Sequence, residues 1–211
     1  MTPNSTGADD VRAYGLDWQY DEPLWVHVAE RDEGTVLFGG GDAATAGQLV
    51  DVAAARGVEA VVVEHGDGDH YGGVPALREA LDVEVAVPAG DARFLREAGV
   101  AVDRELAGGE RYYGFECVPA PGHTPDNMAY LADGTVIAGD TVAGVDSTFA
   151  AAGEWSGPLA PMTADYNADD DQARASVRRL LDHAVERVLV AHGTSVPADG
   201  SAAVETLVAD L

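Results

Sequence analysis

An apolar run, Val58-Glu59-Ala60-Val61-Val62-Val63, opens without a spacer into EHGDGDHYGG at residues 64–73. Its length and β-branched richness are those of a buried strand. The continuation sets His65, Asp67, Asp69 and His70 within six residues, with Gly66, Gly68, Gly72 and Gly73 among them. Imidazole and carboxylate both ligate divalent cations, and glycine lets the backbone turn tightly enough for alternate side chains to converge. Aspartates alternating with glycine suit calcium, but two histidines inside the loop do not. A chain with this stretch must end a strand at a ligand loop, and other segments must complete the coordination sphere.

Three later segments do so in kind. Pro119-Ala120-Pro121-Gly122-His123, Val136-Ile137-Ala138-Gly139-Asp140 and Val188-Leu189-Val190-Ala191-His192-Gly193 each run to a glycine beside His or Asp. Strand ends are where rigid elements aim side chains from short loops. Four such ends present His65, Asp67, Asp69, His70, His123, Asp140 and His192. Seven ligands are too many for one tetrahedral ion and suit two ions sharing a bridge.

The intervening sequence predicts the scaffold. Residues 24–28 and 35–38 read as a hairpin with Asp32-Glu33-Gly34 at its turn. Residues 43–56 recur apolar at helical spacing and stop at Gly57, with Asp42 as the cap. Further helices are expected after Pro75, over about 90–98 before Gly99, over 169–182 with an Asp170/Arg174 pair, and over about 201–210. Strands are expected at 83–87, at 187–191 and, in short pieces, over 111–139. No repeat or linker divides the chain, so residues 1–211 are expected to form one α/β domain with sheet inside and helices outside. GGGDAATAG misses the dinucleotide-loop spacing because Ala44 takes the last glycine's place. His27 within a strand and His183 near a helix C-terminus are read as structural, and Cys117 as a buried apolar residue.

Charge narrows the partners. The net charge is −25, and all twelve basic residues are arginine. Such a surface repels a phosphate backbone and an anionic bilayer, so neither nucleic acid nor membrane is an expected partner. The acids are scattered among Val, Leu and Ala rather than gathered in a tail, and 46% of the residues are hydrophobic, as a globular protein requires. MTPNSTGADD carries no secretory pattern, no run reaches the length of a spanning helix, and the single cysteine excludes an intrachain disulfide. The expectation is a protein of a high-salt cytoplasm, where screening removes the self-repulsion. Its unfolding midpoint should rise between dilute buffer and molar KCl, and a flat response would reject the high-salt reading.

Taken together, these motifs resemble the metallo-β-lactamase fold superfamily of hydrolases. Its members carry His-x-His-x-Asp-His, then a glycine–histidine, a glycine–aspartate and a final histidine–glycine, in the order met here. The likeness runs from LFGGGD through GHTPDN and AGDT to AHGTSV. It implies an αββα sandwich in which His65, residue 67 and His123 hold a first metal, Asp69, His70 and His192 a second, and Asp140 bridges them. Asp69 would also orient the nucleophile and help move its proton. Apart from the resemblance, Tyr71 and Tyr166 could donate to a substrate oxygen, with surface or core roles the equal alternative.

The departure is Asp67, where the family's second histidine normally stands. The flavodiiron branch also places a carboxylate there, using Glu and iron. Zinc is the expected metal, but the harder oxygen ligand shifts preference toward iron or manganese, and the extra negative charge weakens the pull on bound water. The function implied is hydrolysis of a small ester, thioester, lactone or phosphodiester by a metal-activated hydroxide at a dinuclear site. A diiron protein reducing oxygen or nitric oxide through a separate electron donor, or a weakened metal-binding relative, is the alternative. Antibiotic hydrolysis is disfavoured, because neither an export signal nor a cysteine ligand is visible.

Overall fold

The computed structural model describes residues 1–211 throughout. The first half of the chain builds a seven-stranded sheet from β1 (Asn4–Ser5), β2 (Val11–Leu16), β3 (Leu24–Arg31), β4 (Gly34–Phe38), β5 (Ala60–Val62), β6 (Glu84–Pro88) and β7 (Arg104–Leu106), in that spatial order. Strands β1 to β4 form an antiparallel meander, and β4 to β7 are parallel. The parallel crossovers carry α1 (Ala46–Arg56), α2 (Gly68–Tyr71), α3 (Val74–Ala80) and α4 (Ala92–Glu97).

The second half lays down β8 (Arg111–Tyr112), β9 (Phe115–Pro119), β10 (Met128–Ala132) and β11 (Thr135–Ile137) as an antiparallel run. A ribbon of β12 (Ala143–Gly144) and β13 (Leu159–Ala160) follows, then α5 (Asp170–Arg179), β14 (Arg187–Leu189) and α6 (Gly200–Asp210). Strand β14 joins β11 in parallel at the edge of a five-stranded second sheet.

Side-chain alternation sorts these elements into four layers. In β4, Val36 and Phe38 face the second sheet while Leu37 faces the helices, and β5 repeats this with Ala60 and Val62 against Val61. Both faces are apolar because both are covered, as buried parallel strands require. One core lies between the first sheet and α1, α3 and α4, through Leu49, Val52, Leu77 and Leu95. A second fills the space between the sheets, where Phe38 meets Phe115 at 4.8 Å and Tyr130 at 5.1 Å. A third joins the second sheet to α5 and α6 through Val177, Val204 and Leu207. This is the αββα sandwich.

The expected hairpin, helices and later strands are present with shifted ends. Gly57 and Gly99 close their helices at φ 64° and 79°, and the Asp42 carboxylate accepts from the Ala44 N–H at 2.7 Å. Arg174 Nε lies 2.8 Å from Asp170 Oδ2. Cys117 is buried, and its thiol is pushed up to about 12 by desolvation.

Strands β1, β2, β7, β12 and β13 escape the sequence reading. In VRAYGL of β2 both faces are covered, so no alternation shows, and REL of β7 is a polar edge recruited by register with β6. No helix is long and apolar enough to cross a membrane.

His27 lies in β3 on the same face as Ala29, within the layer between the sheets, and neither ring nitrogen has a hydrogen-bond partner. Burial lowers its pKa from 6.5 to about 4. Unfolding exposes the ring to its ordinary pKa, so the unfolded chain binds the extra proton between those two values. Stability is therefore lost as pH falls from 6.5 toward about 4. His27→Leu should stabilise the fold by about 1 kcal/mol at pH 7 through removal of unpaired polar atoms, and by about 2 kcal/mol more near pH 4.5. Urea unfolding at both pH values measures this; an advantage that does not grow at the lower pH sinks it.

Candidate metal centre

The ends of β5, β11 and β14 and the turn between β9 and β10 meet at one edge of the sandwich. After β5 the chain runs through Glu64 and His65, and α2 then starts at Gly68, with His70 N donating to Asp67 O at 2.9 Å. This single turn fans Asp67, Asp69 and His70 toward one point. Gly122 sets the approach of His123: its φ is 131°, and a Cβ there would lie 2.1 Å from Ala173 N. Gly139, at φ 49°, passes close to Glu64, where an added Cβ would lie 2.9 Å from Glu64 Cβ.

All seven predicted ligands converge, in two groups. In the first, Asp67 Oδ2 lies 3.1 Å from His123 Nε2 and 3.7 Å from His65 Nε2. In the second, Asp69 Oδ2 lies 3.4 Å from His192 Nε2 and 4.0 Å from His70 Nε2. Asp140 divides its carboxylate between them. Its Oδ2 stands 3.3 Å from His123 and 3.9 Å from His65, and its Oδ1 stands 3.3 Å from His70 and 3.5 Å from His192.

The imidazole Nε2 atoms of His65, His70, His123 and His192, and Asp140 Oδ1, are buried without a hydrogen-bond partner. Five orphaned polar atoms aimed at one small volume are costly unless cations occupy it. The donor set of imidazole and carboxylate fits a pair of divalent ions.

Electrostatics agree. Burial pushes the His65 imidazole well below its usual range, keeping it in the neutral form that ligates. Burial also lowers His70, but the Asp140 and Asp69 carboxylates outweigh it and hold the ring well above its usual range, so positive charge is favoured there.

A supporting tier orients these ligands, and the sequence reading missed it. Glu64, itself buried, faces His70 Nδ1 through Oε2 at 3.1 Å, and Asn167 Oδ1 faces His123 Nδ1 at 3.1 Å. With the Nδ1–H donating to these oxygens, the Nε2 lone pair is left for a metal. Asp91 ties two ligand loops together by accepting from Gly66 N at 2.9 Å, from the Thr124 hydroxyl and from Asp126 N at 3.2 Å. Asn127 Nδ2 donates to Ala120 O at 2.9 Å and Thr141 Oγ1 at 3.1 Å, linking the His123 and Asp140 turns. Glu64 carried a signal, since a charged residue ends an otherwise apolar strand; Asn167 and Asp91 carried none.

Above the centre opens a cavity of about 220 Å³ lined by Trp18, Gln19, Tyr20, Asp42, Phe149, Met162 and Tyr166 together with Asp67, Gly68, Asp69, His123 and Asp140. Tyr166 is thus at the cavity, half exposed. Tyr71 is not; it packs against the helical core outside the first sheet. Trp18 and Phe149 stand against the His192 ring at 5.6 and 4.4 Å between centroids.

Comparison with known proteins places this arrangement. The family model described as the metallo-beta-lactamase superfamily matches residues 21–192. A hydroxyacylglutathione hydrolase from Halorhodospira halophila is 34% identical over 144 residues, covering 65% of this chain and 51% of that protein. The chain spans about half the length of the hydroxyacylglutathione hydrolases it matches. Among solved structures, a mutant flavo di-iron protein from Thermotoga maritima superposes with a TM-score of 0.69 at 18% identity, over 94% of this chain and 57% of that one. TTHA1623 in a di-iron-bound form superposes with a TM-score of 0.61 at 26% identity, over 89% and 96%.

Proposed function

The chain belongs to the metallo-beta-lactamase superfamily, and from that premise we propose that it is a dinuclear metal-dependent hydrolase of a small-molecule ester, thioester or lactone. The observation that carries the reading is the division of Asp140, one carboxylate oxygen to each of two ligand groups. The likeness to hydroxyacylglutathione hydrolases supports acyl compounds over phosphodiesters.

In this reading His65, Asp67 and His123 would hold one ion and Asp69, His70 and His192 the other, with Asp140 shared between the two groups. When bound, the ions would supply Lewis acidity to a carbonyl oxygen and lower the pKa of a coordinated water. Asp69, with its carboxylate on the cavity floor, holds the attacking water in line and takes up its proton. Tyr166 presents a hydroxyl at the cavity mouth that can donate to the substrate's oxygen. Glu64 and Asn167 are positioning residues, fixing the ring orientations of His70 and His123. Trp18 and Phe149 keep water from the His192 side.

Asp67 favours a second reading, a di-iron redox centre, because a third carboxylate suits iron, and the likeness to TTHA1623 in its di-iron-bound form supports that metal. One experiment separates the two. The protein is loaded with zinc, manganese or anaerobic ferrous iron, its metal content is measured, and thiol release from acyl thioesters is followed alongside the optical spectrum under reduction. Two ions per chain, with turnover that chelation removes and metal restores, is the expected result. Two irons with a redox-dependent spectrum and no thiol release would establish the second reading, and no stoichiometric metal would remove both.

A further inference from the structure

We propose that the cavity selects acyl substrates whose remote portion carries no negative charge, seating a neutral or cationic apolar group against an aromatic wall. The inference deepens the hydrolase reading and rests on it for the chemistry, though not for the binding.

The wall is a continuous set of rings. Trp18 meets Tyr20 at 4.7 Å, Tyr20 meets Phe149 at 4.9 Å, and Phe149 meets Tyr166 at 5.5 Å between centroids. It is held in place rather than merely present. The Trp18 indole N–H donates to Glu22 O at 2.7 Å, and the Glu22 carboxylate accepts from Thr148 N at 2.9 Å, which fastens the loop before β3 to the loop bearing Phe149. Tyr20 and Tyr166, 40% and 51% exposed, carry the wall out to solvent. The rings are tilted or edge-on to one another, and such an aromatic cluster attracts flat or alkyl groups by burial and cations through the ring quadrupole.

The other half of the argument is charge. None of the twelve arginines lines the cavity, and there is no lysine in the chain. Of the four carboxylates that do line it, Asp67, Asp69 and Asp140 face the metal positions, leaving Asp42, whose Oδ1 is already engaged by the Ala44 N–H. A remote carboxylate or phosphate would lose its hydration against rings and meet a like charge with no cation to pair it. Selectivity built by such a repulsive element is directional: it admits many neutral groups and refuses one class. Glutathione bears two carboxylates, so on this proposal a thioester of glutathione falls in the refused class.

The test uses three thioacetates of nearly equal size, bearing 3,3-dimethylbutyl, trimethylammonioethyl or 3-carboxypropyl groups, on the metal-loaded full chain in molar KCl. At that salt the Debye length is about 3 Å, so the overall charge of the protein is screened and only contacts inside the cavity discriminate. The neutral and cationic members should exceed the carboxylate in kcat/KM by at least about tenfold, through KM. A carboxylate member within about threefold of the neutral one overturns the proposal. Gln19→Arg places a guanidinium in the lining and should raise the kcat/KM of the carboxylate member relative to the neutral one about fivefold; an unchanged ratio also overturns it. The matching thioethers, titrated by tryptophan fluorescence, keep the two readings apart. The same rank order in binding with no turnover of any thioester would retire the hydrolase and leave the selectivity standing. Equal quenching by all three would remove the selectivity whatever the turnover.

Discussion

Asp140→Asn is expected to empty both metal positions at once and to lower kcat/KM by at least about 10³-fold, or about 4 kcal/mol of transition-state stabilisation. Its two oxygens lie 3.3 to 3.9 Å from all four imidazole Nε2 atoms, so neutralising the group weakens both ends of the centre together. His123→Ala touches only the first group and should cost one ion. Metal analysis after gel filtration distinguishes the two variants independently of activity, with far-ultraviolet circular dichroism confirming the fold. An Asp140→Asn protein that still holds one ion tightly would show that the carboxylate does not bridge.

Asp67→His carries the second large effect. It should raise zinc affinity at the first position by roughly ten- to a hundredfold and reduce the share of iron or manganese taken from an equimolar mixture. Asp67 is the least buried arm of the centre, with 47% of its side chain exposed against 0% and 3% for His65 and His123. Its oxygen nevertheless lies 3.1 Å from His123 Nε2, within the reach of a shared ion. The substitution also removes one of three carboxylate charges, and a more positive centre binds anionic water more strongly, so hydrolysis near pH 7 should quicken. Competitive loading followed by elemental analysis decides the matter: an unchanged metal partition in the variant would mean that Asp67 is not a ligand.

The candidate ligands were legible in the sequence because few residue types can hold a divalent ion, and a strand end followed by glycine leaves them little choice of direction. His65 to His70, His123, Asp140 and His192 needed no knowledge of packing to be grouped. What surrounds them did. Trp18, Tyr20, Phe149 and Met162 meet at the cavity only because the loop before β3 crosses to the loop after β12, and such a long-range crossing has no local periodicity. Tyr71, for which the sequence left a substrate contact and a core role both open, packs against the helical core. Strand β2 was invisible for a related reason, since burial on both faces erases the alternation that marks a strand.

The unequal shielding of the two proposed metal positions has a kinetic corollary. The first opens to solvent past Asp67, whereas the second is backed by the rings of Trp18 and Phe149 against His192. Ions should therefore exchange in sequence, the outer one departing to a chelator while the inner one lingers. Between fully loaded and bare protein there would then be a long-lived one-ion species, with its surviving ion always at the same end.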